Sequence, residues 1–297
     1  MIDLSIIIVS YNTRDLITEC LDSIKNTAKK ISYEIFVIDN DSSDDSVDVI
    51  KKYVKEDSSK KVFFVENNKN LGFSAANNKA MKEAKGRYIL FLNPDTVVRT
   101  NTLDFMAEYM DKNKDVGAAT CELIMPNGEI DDASHRGFPT PWNSFSHFSG
   151  LSKIFPHLKL FSGYSQGFKN LRETHEIDAL AGAFMIVRRE AGDEVGWWDE
   201  DYFFYGEDLN FCYELKNKGW KIMYVPEVSI LHYKGVSGGL KKVSKDITTA
   251  DKETKRRATK ARFDAMKIFY KKNYEDKYPK FLTKLVMLGI SLKEKMG

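Results

Sequence analysis

The sequence predicts an α/β fold with a doubly wound, mostly parallel sheet flanked by helices and followed by a basic helical extension. Short, almost wholly apolar runs alternate with helical patterns through the first third of the chain, and this alternation is typical of βαβ units. These runs lack a polar face, as expected of strands that are covered on both sides. Beyond residue 238 the composition becomes basic and the spacing helical.

The composition is that of a soluble globular protein. Of 297 residues, 42% are hydrophobic and 30% are charged. The three cysteines are far apart and form no CxxC pair, so neither a zinc site nor a disulfide framework is indicated. The apolar run near the N-terminus is too short for a signal peptide, and no run is long enough to cross a membrane. We therefore expect a cytoplasmic protein.

The net charge of +2 hides a marked asymmetry. Residues 234–297 contain 18 Lys and Arg but only 7 Asp and Glu, so the preceding part is net acidic. A basic tail on an acidic body indicates an anionic partner for the tail, either a membrane surface or nucleic acid. No nucleic-acid recognition module accompanies the charge, so we expect no nucleic-acid partner.

The first two βα units are predicted at the N-terminus. Leu4–Ser10 is a β-rich apolar run, and Thr13 is expected to cap the helix that follows it. Residues 33–38 repeat the pattern and end in Asp39. A polar cluster then supplies a loop and the start of a second helix.

The third and fourth strands are predicted at residues 62–65 and 88–92. Gly86 is expected to close the intervening helix in the left-handed conformation. The fourth strand stops abruptly at an Asn-Pro-Asp sequence that ends at Asp95. Ligands bind beyond the carboxyl ends of strands in such sheets, which would place Asp95 at a binding edge. The alternative is a simple turn, because all three residues favour turns.

The next part of the chain is less regular. Thr100 is expected to cap a helix, residues 116–124 predict a strand, and Asn127-Gly128 is a hairpin signal. Between residues 134 and 176 periodicity is lost while aromatic residues are frequent. A stretch this long is more often a lid or a binding segment than a connecting loop.

Regular elements return after residue 176. Residues 177–187 are apolar, with Gly182 in the middle, where a ligand or another backbone segment can come close. An aromatic loop follows at residues 196–206, and a helix begins at residue 207. Two last strands are predicted between residues 220 and 232, with a break before residue 228.

Seven separated segments line up, in order and with ordinary spacing, with one known family. They are SIIIVSYN (5–12), VIDNDSSDDS (37–46), NLGFSAANN (70–78), FLNPD (91–95), AGAFMIVRR (181–189), DEDYFFYGEDLNFC (199–212) and VPEVSILHY (225–233). Together they resemble the inverting family 2 glycosyltransferases, and among these the bacterial rhamnosyltransferase-like members look most similar. The resemblance implies a GT-A nucleotide-diphospho-sugar transferase fold, a nucleotide-sugar donor, a divalent cation and inversion at the anomeric carbon.

The resemblance also implies a domain division. It covers roughly residues 3–237, so we expect a catalytic domain at residues 1–237 and a basic helical extension at residues 238–297. Within the catalytic domain, the nucleotide-binding half would span about residues 1–100 and the acceptor half about residues 101–237.

A metal site is expected at Asp95. Sugar transfer leaves a diphosphate, whose charge a hard cation such as Mg²⁺ or Mn²⁺ stabilises while keeping one or two protein carboxylates as ligands. The family motif usually has two aspartates flanking one residue, but Asn93 replaces the first here, which puts its coordination in doubt. His232 resembles the family histidine that reaches the metal or the diphosphate; a purely structural histidine is the alternative.

Glu207 and Asp208 resemble the acidic pair of the family, in which the aspartate usually acts as the general base. An inverting displacement needs such a base, because the acceptor hydroxyl must lose its proton as it attacks. The alternative is that both acids merely favour a helix N-terminus.

The remaining site predictions concern substrates. The resemblance implies donor-nucleotide contacts by Ser10, Tyr11, Asn12, Asp39, Asn70, Gly72 and Asn93, although Asp39 could equally be an ordinary cap. An acceptor contact is predicted for Trp198, because apolar sugar faces stack on aromatic rings, and for Gly182, because a small residue lets a ligand come close. The competing interpretation is that the aromatic loop belongs to the core.

The C-terminal residues predict an amphipathic helix. Phe281, Leu285, Leu288 and Leu292 form one stripe with lysines nearby, a pattern typical of helices that lie in a membrane interface. We therefore expect peripheral contact with an anionic membrane at the inner face of the plasma membrane. The alternative is docking on the catalytic domain or on a second subunit in a homodimer.

The favoured function is transfer of L-rhamnose from dTDP-rhamnose to a glycan or lipid-linked glycan in cell-surface polysaccharide synthesis. Alternatives are a UDP-sugar donor carrying Gal, GlcNAc or Glc, and a non-catalytic nucleotide-sugar-binding subunit. Sugar nucleotidyltransferases share the architecture but need a glycine-rich loop after the first strand. Residues 10–15 contain no glycine.

Overall fold

The computed structural model describes residues 2–235, 248 and 250–296. Nine strands within these ranges form one sheet: β1 (Leu4–Ser10), β2 (Tyr33–Asp39), β3 (Val62–Glu66), β4 (Tyr88–Leu92), β5 (Thr96–Val98), β6 (Val116–Ile124), β7 (His175–Glu176), β8 (Phe184–Arg188) and β9 (Lys221–His232). Their spatial order is β3-β2-β1-β4-β8-β6-β9-β5, and β7 pairs with β9 beside this path.

Helices cover both faces of the sheet. They are α1 (Arg14–Thr27), α2 (Ser46–Glu56), α3 (Phe73–Met81), α4 (Thr102–Lys112), α5 (Pro141–Phe148), α6 (Leu151–Ile154), α7 (Arg189–Val195), α8 (Glu207–Asn217), α9 (Lys252–Asn273) and α10 (Lys280–Met296). Side chains alternate along a strand, so Ile6 and Ile8 of β1 join the core under α1, α2 and α4, whereas Ile7 joins the core under α3, α7 and α8. The two covered faces explain why the strands have no polar side.

The predicted α/β sheet with helices on both faces and C-terminal helices is confirmed. Strand β1 pairs in parallel with β2 and β4, and β2 pairs in parallel with β3. The carboxyl ends of these strands therefore meet at one edge, which brings Ser10, Asp39 and the residues after Leu92 to the same region. Strand β8 is antiparallel to both β4 and β6, so the sheet is mixed at its centre.

Two predicted helix caps differ in the structure. Thr13 does precede α1, but its hydroxyl is 2.8 Å from the Ser10 hydroxyl and makes no capping bond to the helix. Thr100 is not a cap, because α4 begins at Thr102 and the preceding Asn101 occupies the left-handed region, with φ of 68°. At Thr13 the hydroxyl that could have capped the helix is thus used within the preceding turn.

The role predicted for Gly86, to close a helix, was also wrong. Helix α3 ends at Met81, and the glycine does not close it in the left-handed conformation. A Cβ atom at residue 86 would instead lie 2.4 Å from the backbone nitrogen of Ser5. The position therefore needs glycine because β1 passes too closely for a side chain.

The two last predicted strands form one strand, β9. Its pairing with β6 jumps from Val225 opposite Cys121 to Ser229 opposite Glu122, so residues 226–228 are left out of the ladder. Pro226 lies in this irregularity and cannot donate a ladder hydrogen bond. The hairpin signal at Asn127-Gly128 is confirmed, because the Gly128 N–H donates to the Met125 carbonyl at 2.9 Å.

The C-terminal helices dock on the rest of the chain. Phe269 and Tyr270 of α9, and Tyr274 just after it, are buried against Tyr202 and Tyr213. Helix α10 packs in turn on α9. The docking alternative was given for the amphipathic helix, which is α10, and α10 packs on α9 rather than lying free of the rest of the chain. The predicted domain boundary at residues 237 and 238 lies outside the described residues.

Candidate functional site

A pocket of about 150 Å³ lies at the carboxyl edge of the parallel strands. We call it the edge pocket, and its lining includes five of the predicted site residues: Tyr11, Asn70, Gly72, Asn93 and Asp95. The lining also includes Phe203 and Phe204 from the aromatic loop and Thr254 and Arg257 from α9. The sheet edge, the aromatic loop and the C-terminal extension therefore enclose one cavity.

Ser10, Asn12 and Asp39 do not line the edge pocket but hold the loops beside it. Asp39 is completely buried and accepts hydrogen bonds from the Ser42 N–H (2.9 Å) and hydroxyl (2.6 Å). The Asn12 N–H donates to that same Ser42 hydroxyl at 2.9 Å. Burial raises the pKa of Asp39 although these bonds act in the opposite direction. The two loops thus brace each other, and a nucleotide role for these three residues remains a prediction.

Asn40 is a residue that the sequence analysis missed. Its side-chain amide donates to Asn70 Oδ1 (3.0 Å) and to the Gly72 carbonyl (3.2 Å), and its Oδ1 accepts from the Leu71 N–H (3.0 Å). One buried side chain therefore fixes the whole segment from residue 70 to residue 72. The only signal in the sequence was its place directly after Asp39.

Gly72 is required by the backbone at the rim of the pocket. Its φ is +80°, and a Cβ there would lie 2.5 Å from the Phe203 carbonyl oxygen. The next residue, Phe73, donates its N–H to that same carbonyl at 2.8 Å. The segment after β3 and the aromatic loop are therefore joined at the point where they close over the pocket.

Asp95 and His232 come together because β5 pairs with the end of β9. His232 Nε2 lies 3.5 Å from Asp95 Oδ1, which is too long for a hydrogen bond, and this buried nitrogen has no hydrogen-bond partner among the described residues. Burial lowers the pKa of His232, but Asp95 and Asp131 outweigh it and raise that pKa to about 9. The predicted pair is thus assembled, with both side chains buried.

Asp131 orients His232 from behind and was also missed. The His232 Nδ1–H donates to Asp131 Oδ2 at 2.9 Å, and Lys234 binds the other oxygen of that carboxylate. Burial alone would raise the pKa of Asp131. His232 and Lys234 together outweigh burial and hold this pKa well below its usual range. A carboxylate behind a histidine in this way is the usual outer support of a metal-binding imidazole.

The donor set at Asp95 and His232 fits a divalent cation. It offers one carboxylate oxygen and one imidazole nitrogen without a hydrogen bond. A bound Mn²⁺ or Mg²⁺ would displace the proton that the raised pKa of His232 favours on the ring, and phosphate and water would supply the other ligands. Among the described residues, no group of three or more His, Cys, Asp or Glu side chains has a metal-binding arrangement. Any ion here would therefore depend on ligands from the substrate.

Asp208 and Glu207 start α8, just after Gly206, whose φ is +82°. Asp208 Oδ2 accepts from Arg136 Nη2 at 2.6 Å, and its Oδ1 accepts from the Leu209 N–H at 2.7 Å. Arg136 is also tied to the Leu180 carbonyl at 3.0 Å. The carboxylate is therefore held in one orientation, and each oxygen keeps a second lone pair for a substrate hydroxyl.

Glu207 differs sharply from its neighbour. It is buried and its Oε2 has no hydrogen-bond partner among the described residues. Burial, and then the adjacent charge of Asp208, raise the pKa of Glu207 to about 8. The raised pKa favours the neutral form of Glu207, whereas the Asp208 carboxylate is paired with Arg136 at 2.6 Å. Adjacent acids with such different environments are typical of sites that need one ionised carboxylate.

Asp208 does not line the edge pocket, but only three residues separate it from Phe204, which does.

The acceptor role predicted for Trp198 is not supported. Its side chain is only 2% exposed, and its ring packs against Phe91 and Phe211 at centroid distances of 4.7 and 5.0 Å. Trp198 is thus a core residue, as the competing interpretation held, and an acceptor role for Gly182 remains a prediction.

Comparisons with known proteins identify the family of the chain. The model of Glycosyl transferase family 2 matches residues 5–196. Rhamnosyltransferase WbbL from Escherichia coli K12 is 29% identical over 77% of this chain and 82% of its own length. The N-acetylglucosaminyl-diphospho-decaprenol L-rhamnosyltransferase of Mycobacterium tuberculosis is 28% identical over 51% of this chain and 48% of its own.

A solved structure shares the fold along almost the whole chain. The mannosyltransferase PcManGT from Pyrobaculum calidifontis, in complex with GDP-Man and Mn²⁺, aligns with a TM-score of 0.56 at 16% identity. The alignment covers 97% of this chain and 79% of that one. It therefore includes the C-terminal helices, which lie beyond the region that the family model matches.

Proposed function

Because this chain belongs to Glycosyl transferase family 2 and is an inverting glycosyltransferase, we propose that it transfers a sugar from a nucleotide donor to a glycan or lipid-linked glycan during surface-polysaccharide assembly. The favoured donor is dTDP-rhamnose, from which L-rhamnose would be transferred, because two relatives of this chain are named rhamnosyltransferases. A UDP-linked hexose is the alternative, since a few loop contacts on a shared fold set the choice of sugar.

The observation that carries the proposal is the Asp95–His232 pair, supported by Asp131, at the edge pocket. These residues would hold Mg²⁺ or Mn²⁺, and the cation would stabilise the negative charge of the departing diphosphate. The related mannosyltransferase structure contains Mn²⁺ together with its nucleotide sugar. In this proposal Tyr11, Asn70 and Gly72 contact the nucleotide from the other side of the pocket.

The transfer itself exchanges one bond for another at the anomeric carbon. The acceptor oxygen forms a bond to that carbon as the bond to the diphosphate oxygen breaks, and Asp208 takes the proton of the acceptor hydroxyl. Arg136 holds the Asp208 carboxylate in one orientation. Because Glu207 is mostly protonated, it adds little negative charge that would repel the diphosphate.

Helix α9 adds a cation to the donor site. Arg257 lines the edge pocket and is only loosely paired with Glu253, at 3.8 Å. The pocket has a volume of about 150 Å³, which is smaller than the roughly 300 Å³ expected of a small-molecule site. In this proposal the exposed Arg257 and Phe203 side chains move outward when the donor binds. We propose that Arg257 then binds the donor diphosphate.

Arg257→Gln is expected to raise the donor KM by about tenfold with little change in kcat, because a charge-assisted hydrogen bond to the diphosphate is lost from both ground and transition states. Steady-state kinetics with varied donor would measure this. Arg256→Gln is the matched control, since Arg256 is also exposed on α9 but does not line the pocket. An equal effect of the two variants would remove Arg257 from the site.

The proposed function is tested by screening nucleotide sugars for thermal stabilisation with and without Mn²⁺. A ligand that binds only the native state raises the melting temperature. We expect dTDP-rhamnose to raise it most, and to do so only with the cation. Stabilisation by a UDP-hexose instead would change the donor, and no stabilisation by any nucleotide sugar would contradict the proposal.

A further inference from the structure

Helix α10 exposes an apolar stripe that nothing in the described chain covers. Phe281, Leu285, Leu288 and Leu292 lie on one side of the helix, and each is more than half exposed. The side chains of Val286 and Met287 pack instead against the cluster formed with α9. Because α10 is already anchored through this second side, the exposed stripe is not needed for its docking.

A second exposed apolar group lies on the segment that contains α5 and α6. Its large side chains are between 41% and 67% exposed, and they are Trp142, Phe145, Phe148, Ile154, Phe155, Leu158 and Leu160. Contacts within the segment hold it together, for example Trp142 against Phe145 at 5.8 Å between ring centroids. Such a concentration of exposed aromatic residues is unusual on a monomer surface and marks an interaction site.

The two groups adjoin each other. Lys293, the residue after Leu292, places its ammonium group 4.3 Å from the centroid of the Phe148 ring. The end of α10 therefore touches the end of α5. We call the combined surface of residues 141–160 and 280–295 the apolar face.

The charges on the apolar face have one dominant sign. Its two segments contain six lysines and a single acid, Glu294. That acid already bonds Lys267 of α9 at 2.7 Å. Apolar side chains surrounded by lysines match a bilayer with anionic headgroups, which attracts the cations while the acyl region takes up the apolar groups.

We propose that the apolar face binds the surface of an anionic membrane and thereby holds the catalytic domain beside a lipid-linked acceptor. The second part of this proposal rests on the proposed function. No helix among the described residues is long and apolar enough to cross a bilayer.

Short contacts connect this face to the general base. The ring of His147 in α5 lies 5.0 Å from that of Tyr164. The Tyr164 carbonyl accepts from the Gly137 N–H at 2.8 Å, and the neighbouring Arg136 binds Asp208. The segment that carries the apolar face is thus in contact with the strand of chain that orients Asp208.

Vesicle sedimentation tests the proposal with two double variants, Leu285→Ser with Leu288→Ser on α10, and Phe145→Ser with Ile154→Ser on the other segment. We expect the unchanged protein to bind vesicles of phosphatidylcholine and phosphatidylglycerol, and each double variant to bind at least about tenfold more weakly. All four positions are exposed, so folding should be preserved, and thermal melting checks this. Phe63→Ser is the control, since Phe63 is 45% exposed on β3, away from this face.

The outcomes separate this proposal from the proposed function. Metal-dependent donor hydrolysis without vesicles should be the same in every variant. If the unchanged protein fails to bind anionic vesicles, the membrane proposal is overturned even when hydrolysis is present. If the protein is instead a dimer that the double variants split, the face belongs to a second copy and the proposal is again overturned. Vesicle binding without any sugar transfer would overturn only the link to the acceptor.

Discussion

Asp208→Asn is expected to lower kcat by about 10²–10⁴-fold while leaving donor binding largely unchanged. The amide keeps the shape of the side chain but cannot take the proton of the acceptor hydroxyl, and a general base usually contributes this much. The site supports the expectation, since Arg136 holds the Asp208 carboxylate at 2.6 Å. Steady-state transfer assays and donor titrations followed by calorimetry would measure the two quantities separately.

Glu207→Gln is the matched control for this variant. The pKa of Glu207 is raised to about 8, so the side chain is mostly neutral at pH 7 and a neutral amide resembles its natural state. We expect a loss of less than about tenfold, because no proton transfer is removed. Near-normal turnover of Asp208→Asn would eliminate Asp208 as the base, and a much larger loss in Glu207→Gln would transfer that role to its neighbour.

Asp95→Ala is expected to lower kcat by about 10³-fold and to abolish activation by Mn²⁺. The variant removes the carboxylate oxygen beside His232 Nε2, and with it the proposed charge stabilisation of the leaving diphosphate, worth several kcal/mol. Turnover measured against Mn²⁺ concentration, together with Mn²⁺ titration of the protein and nucleoside diphosphate by electron paramagnetic resonance, would test both expectations.

Asp15→Ala serves as the control for the loss of one carboxylate. Asp15 is an exposed residue on α1, with 71% of its side chain accessible, so it should have no effect on the metal response. The metal assignment fails if Asp95→Ala keeps its dependence on Mn²⁺. It fails equally if turnover of the unchanged protein is insensitive to a chelator.

The fold was largely predictable because strands β1, β2 and β4 are recognisable in the sequence as short apolar runs. The antiparallel placement of β8 was not predictable, since a strand that is buried on both faces carries no periodic signal for the direction of its partner. Strand β9 was divided into two because Pro226 normally interrupts a ladder, and here it sits in an irregularity of the pairing.

A site residue could be predicted only where the sequence next to it carries a recognisable signal. Asp95 and His232 could be predicted as site residues because each ends a recognisable apolar segment, and the structure places them 3.5 Å apart. Asp131 and Arg136 were missed, since their partners lie 101 and 72 residues away and nothing in their own neighbourhood marks them. Trp198 was misassigned because a run of aromatic residues does not reveal which rings face inward.

The close approach at Gly72 has a consequence for the order of events. The backbone of the segment before α3 rests directly on the Phe203 carbonyl, and the N–H of Phe73 bonds the same oxygen. A donor that displaces residues 70–72 would therefore also displace the aromatic loop, which leads into Asp208. If residues 70–72 contact the donor and Asp208 is the base, as we propose, this contact couples donor binding to the acceptor site, and we expect ordered rather than random addition of the substrates.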